Sequence, residues 1–153
     1  MKYSRREFLK VSGTTIACTC LSGLLTNNCS HLPTAPEIAD HTYIIDGDML
    51  IVFLNRVPEL SLVGGAVTID DHDLPNSLII ARADENEYVV ASNRCTHRGK
   101  PLNYDHEALL FRCAGGKSEF ALDGTVLKNP AEISLRIYPS LLEGDRLIID
   151  LSN

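Results

Sequence analysis

Basic residues are scarce in this chain. Lysine and arginine total 14 against 20 aspartates and glutamates, a formal charge of −6. Four of the basic residues (Lys2, Arg5, Arg6, Lys10) and one acid (Glu7) lie in the first ten positions. Without them the chain holds 10 basic and 19 acidic residues, a net of −9. Phosphate backbones are bound through lysine and arginine, so nucleic acid is not an expected partner. A basic protein steered in by charge is. Long apolar runs are also missing. The longest, residues 11–25, spans 15 positions, fewer than the ~20 that cross a bilayer comfortably. After residue 30 no stretch keeps a 3.6-residue period over ten positions, which excludes a helical bundle. Cysteine is sparse where it would matter. Of five, Cys18, Cys20 and Cys29 fall in the first 29 residues, leaving Cys95 and Cys113. Two cysteines make one bridge at most, not a disulfide framework.

What the chain does have begins at its start. Ser4-Arg5-Arg6-Glu7-Phe8-Leu9-Lys10 is a close match to a twin-arginine export signal. The apolar run that follows, softened by Ser, Gly and Thr, completes signal architecture. Residues 1–29 are therefore expected to be read by the twin-arginine export machinery, which carries folded proteins, often with a cofactor already inserted. No clean A-x-A site ends the signal. Cleavage, lipid modification at Cys29 and retention as a membrane anchor stay open. In each case the folded part is expected in the periplasm. Residues 30–39, with the prolines of His31-Leu32-Pro33-Thr34-Ala35-Pro36, read as a linker. Residues 40–153 are long enough for one core and one domain.

The body of the chain alternates short apolar runs with turn residues. Apolar segments at 41–45 and 49–54 flank Asp46-Gly47-Asp48, a hairpin signal. Runs at 78–82 and 88–91 flank residues 83–87. Runs at 120–122 and 126–127 flank Asp123-Gly124, and runs at 133–138 and 147–151 flank Glu143-Gly144-Asp145. Further strands are expected at 66–69 and 109–112, and residues 103–107 read as a turn. Turns every 8–12 residues between β-branched runs predict an all-β antiparallel sandwich or barrel.

Two short boxes carry the chemistry. The first is Cys95-Thr96-His97-Arg98-Gly99. The second is Cys113-Ala114-Gly115-Gly116-Lys117-Ser118-Glu119-Phe120. Fifteen residues separate His97 from Cys113. This resembles the Rieske iron–sulfur family, whose pattern is C-x-H, a spacer of that order, then C-x-x-H-G-S. The resemblance covers about residues 40–151. It implies a small cluster-binding subdomain, about residues 92–131, with both boxes at one tip. It also implies a [2Fe–2S] cluster in which two cysteines hold one iron and two histidines the other. Cys95, His97 and Cys113 fall on three ligand positions, and the fourth falls on Gly116. Gly99 and Gly115 would let the backbone approach the cluster. Ser118 would hydrogen bond nearby, and Pro130 sits where the family packs a proline loop against the cluster. Two further cysteines that form a disulfide in many members correspond here to Lys100 and Gly115.

The function this resemblance implies is periplasmic electron transfer, as a free carrier or a small subunit. The expected partner is a cytochrome or a larger oxidoreductase subunit, and a retained or lipid-modified N-terminus would attach the chain to a membrane. The chain would be the electron-transfer component of an oxidoreductase rather than a catalyst by itself. Three alternatives stay open: a clusterless binding or assembly module of the same fold, a single zinc held by Cys95, His97 and Cys113, and a plain Cys95–Cys113 disulfide. For the missing ligand, His106, His72, His31, His41, Lys117 and Ser118 are the residues to consider, with His106 nearest in sequence and read as an exposed turn residue.

Overall fold

A computed structural model describes residues 35–152. The expected signal at 1–29 lies outside the described residues. So do His31 and residues 30–34 of the expected linker. Among the described residues no helix is long and apolar enough to cross a membrane.

Twelve strands follow one another in the described chain. They are β1 (Tyr43–Asp46), β2 (Met49–Phe53), β3 (Ala66–Ile69), β4 (Leu78–Asp84), β5 (Glu87–Ser92) and β6 (Leu102–Asp105), then β7 (Leu110–Cys113), β8 (Glu119–Ala121), β9 (Val126–Lys128), β10 (Ile137–Tyr138), β11 (Ser140–Glu143) and β12 (Arg146–Asp150). They pair antiparallel into three four-stranded sheets, ordered β1-β2-β12-β11, β10-β5-β4-β3 and β6-β7-β8-β9. The all-β expectation is met.

The middle layer explains how one chain supports two cores. Along β4 successive side chains point to opposite faces. Leu78 and Ile80 join Leu50, Val52, Leu147 and Ile149 in one cluster. Ile79 and Ala81 join Leu102, Phe111, Phe120 and both cysteines in the other. Burial on both faces is why β4 reads as the unbroken run Leu78-Ile79-Ile80-Ala81 and not as an alternation. The small sheet β6-β7-β8-β9 therefore lies on the far side of the central sheet from the first cluster.

The structure departs from the sequence reading in four places. Residues 102–105 form a strand, although Asn103 and Asp105 suggested a turn. Its register, Leu102 opposite Cys113 through Asp105 opposite Leu110, sets the geometry of the site. Arg112 holds Asp105 at 2.8 Å across that pair. The last hairpin is β11–β12, with Glu143 opposite Arg146, whereas the run expected at 133–138 shortens to Ile137–Tyr138 and pairs with β5. The 3-10 helices Leu54–Arg56 and Pro58–Leu60 occupy the connection between β2 and β3, where the sequence carries no helical signal. Residues 36–38, expected as linker, bond to Thr68 in β3, with Ile38 N–H donating at 3.0 Å and Thr68 N–H donating to Pro36 O at 2.8 Å.

Candidate metal centre

The β6–β7 hairpin brings the two boxes together. The first box ends just before β6 and the second leaves β7, so pairing Leu102 with Cys113 sets both at one end of the hairpin. Each box then folds back on its own cysteine. Gly99 N–H donates to Cys95 O at 2.7 Å, and Cys95 N–H donates to Lys100 O at 2.8 Å. Gly99 closes that turn at φ 65°, a conformation few other residues adopt readily. In the second box Cys113 N–H donates to Ser118 O at 3.0 Å and Gly116 N–H to Cys113 O at 3.3 Å. Ala114 N–H donates to Pro101 O at 2.9 Å, tying one box to the other.

The two thiols are core members. Cys95 is 1 % exposed and Cys113 7 %, packed among Leu102, Phe111, Phe120, Ala131 and Leu135. They are not bridged. Burial pushes the Cys113 thiol above its ordinary range, and a hydrogen bond with the Cys95 thiol adds to the rise; the Gly115 N–H and the Lys100 charge oppose it. His97 stands apart, exposed in the turn 96–98. Among the described residues, the three side chains whose ligand atoms all lie within 4.8 Å of one another are Asp71, His72 and Asp73, not Cys95, His97 and Cys113. A tetrahedral zinc with bonds of 2.0–2.3 Å would need its donors about 3.3–3.8 Å apart. Cys95, His97 and Cys113 are not held at that spacing. A thiol pair with an imidazole further off suits a dinuclear group, whose ligands are shared between two metal atoms.

The supports were only partly legible. Ser118 is buried, and its hydroxyl accepts from Ala131 N–H at 3.0 Å, fastening the second box to the loop that follows β9. Pro130 itself is exposed, and Ala131 is that loop's buried residue. Thr96 Oγ1 donates to Ile133 O at 2.6 Å, fastening the first box to the same loop. Buried Asn93 accepts from Leu102 N–H at 2.8 Å through Oδ1 and starts β6. Sequence reasoning missed Thr96 and Asn93. One signal could have found Asn93: a lone amide between an apolar strand and a cysteine box. At Gly115 a Cβ would meet Lys100 Cγ at 2.9 Å and Lys100 Cβ at 3.4 Å.

The other histidines lie elsewhere. His106 is at the opposite end of the β6–β7 hairpin, 3.0 Å from the Tyr104 hydroxyl and against Gly64. His72 is held between Asp71 at 3.1 Å and Asp73 at 3.2 Å, with 89 % of its side chain exposed. His41 is in the 3-10 helix Asp40–Thr42. A polar cleft of about 690 Å³, lined in part by Glu37, Asp70, Asp71, Arg94 and Gly99, runs beside the first box.

Three comparisons bear on this arrangement. Across 96 % of its length the chain is 26 % identical to the cytochrome b6-f complex iron-sulfur subunit 1 of Synechocystis sp., covering 84 % of that protein. Its fold matches the ferredoxin of carbazole 1,9a-dioxygenase from Nocardioides aromaticivorans with a TM-score of 0.55 at 17 % identity, over 71 % of this chain and 97 % of that one. It also matches a structure described as the complex of reduced oxygenase and oxidized ferredoxin in carbazole 1,9a-dioxygenase, with a TM-score of 0.51 at 13 % identity, over 57 % and 82 %. The Rieske [2Fe–2S] domain model matches residues 55–139, more than half of the sequence and both boxes, so the chain belongs to the Rieske [2Fe–2S] domain family.

Proposed function

We propose that this Rieske-domain electron-transfer protein works outside the cytoplasm with a [2Fe–2S] cluster at the open end of the β6–β7 hairpin, where Leu102 pairs with Cys113. Cys95 and Cys113 hold one iron, and His97 holds the other. The observation that carries the reading is the meeting of two thiols from separate boxes inside a core, with the exposed His97 two residues along the chain from Cys95. Such a cluster exchanges one electron, and imidazole ligands set its potential at roughly −150 to +300 mV. The chain's own residues do the rest. The core shields the thiol side from water. Exposed His97 offers the shortest route to a partner, and the acidic surface steers in a basic one. That partner is a cytochrome or a larger oxidoreductase subunit. The arginine pair in the signal motif supports a periplasmic location.

The test is spectroscopic. The full chain, exported from its host and isolated without oxygen, should be brown, with iron and sulfide present and a rhombic EPR signal once reduced. A second reading, a clusterless module of the same fold, draws on Gly116, which offers no donor. A colourless protein that takes up no iron on reconstitution, both as the parent and as Gly116→His, would decide for that module.

A further inference from the structure

The fold does not require glycine at position 116. Every other described glycine is demanded by its backbone or its neighbours. Gly99, for example, sits at φ 65°, and a side chain at Gly65 would run into Glu59 O at 1.9 Å. Gly116 has neither constraint. Its φ lies outside the left-handed region, and a Cβ there would meet a single atom, Cys113 Sγ, at an ordinary contact distance of 3.6 Å. The residue is exposed. What glycine leaves is an opening from solvent to the edge of a thiol site.

No described side chain fills that opening. His106 is bonded to Tyr104 at the other end of the hairpin. His72 is held by two aspartates. The Ser118 hydroxyl is buried and accepts from Ala131 N–H. Lys117 ends in an ammonium group, which offers hydrogens and no lone pair. We infer that the opening at Gly116 is a binding position for a neutral nitrogen donor of the imidazole class, supplied from outside the chain. This rests on the cluster reading proposed above. The same chemistry is carried by a histidine of a docked protein and by a small free imidazole. Binding makes one metal–nitrogen bond and moves no electrons.

The test uses the full chain without a histidine tag, reconstituted with ferrous iron and sulfide, with and without imidazole. The variants Gly116→His and Gly116→Ala run beside it. Iron and sulfide per chain are counted, and the reduced samples are examined for coupling to ¹⁵N supplied in the imidazole. The parent should load poorly alone, gain several-fold with imidazole in a saturable way, and show the ¹⁵N coupling. Gly116→His should load without imidazole and ignore it. Gly116→Ala, whose methyl group narrows the opening, should respond less than the parent. A parent fully loaded without imidazole, or one that gains iron with no ¹⁵N coupling, overturns the inference and leaves the cluster reading standing. Failure of Gly116→His to load overturns the cluster reading itself. Protein isolated gently from its host identifies the source. A loaded single chain points to a small ligand, and loading confined to a heavier assembly points to a partner's histidine.

Discussion

Ser118 does two jobs with one residue: its carbonyl takes the Cys113 N–H and its hydroxyl takes that of Ala131. Ser118→Ala keeps the first bond and leaves the Ala131 N–H buried without its partner. That should cost about 1–3 kcal/mol, read as a lower urea midpoint with an unchanged slope. A loss under half of that range would mean the loop relaxes to find water. Asp71 gives a pH prediction. The Asp73 backbone N–H and then the Tyr43 hydroxyl hold its carboxyl below the usual carboxylate range. A depressed pKa contributes stability above the ordinary carboxylate value, and that contribution is lost as pH falls through the folded value. Tyr43→Phe removes one of the two donors, so its stability should fall less steeply than the parent's between about pH 4 and pH 2. Equal slopes in denaturation series would rule this out. At this scale the two boxes were legible because cysteine and histidine are rare and their spacing is chemical. Thr96 and Asn93 were not, because a single buried polar residue leaves no pattern in a sequence.

At the level of elements, the β6–β7 hairpin positions the site, and half of it was misread. Leu102-Asn103-Tyr104-Asp105 has two turn-forming residues in four. It becomes a strand because β7 pairs with it, Arg112 neutralises Asp105, and Leu102 is wholly buried. Those are tertiary effects that outweigh local propensity. The four hairpin turns flagged by glycine or by polar clusters needed no such help, since their signal is local. The register also makes a prediction about the two loops. A Cβ at Gly115 would lie 3.4 Å from Lys100 Cβ, close to the roughly 3.5–4.5 Å span of a disulfide. The double variant Lys100→Cys, Gly115→Cys should therefore form a 100–115 bridge under mild oxidation, found by peptide mapping. Bridges only to Cys95 or Cys113 would show that the loops sit differently.

Across the whole molecule, the shared central sheet makes adjacent residues of β4 answer to different cores. Ile79→Ala and Ile80→Ala should each cost about 2–5 kcal/mol, as buried large-to-small changes do. Only Ile79 packs in the cluster that contains Cys95 and Cys113. Iron loading under conditions where both variants stay folded should drop for Ile79→Ala alone, and equal loading would remove this division of labour. Export is a whole-chain property as well. Replacing Arg5 and Arg6 by lysine should hold the protein in the cytoplasm, and unimpaired export would exclude the twin-arginine route. The layered core has one more consequence, for the order of chemical attack. Cys95 is the more deeply buried of the two thiols, whereas Cys113 lies beside the opening at Gly116. In the metal-free chain an alkylating agent or peroxide can reach Cys113 by local fraying of one loop, while Cys95 waits for the hairpin to lift off the central sheet. Damage would enter from one side and in sequence, and the lag between the two modified masses would time how often the small sheet detaches.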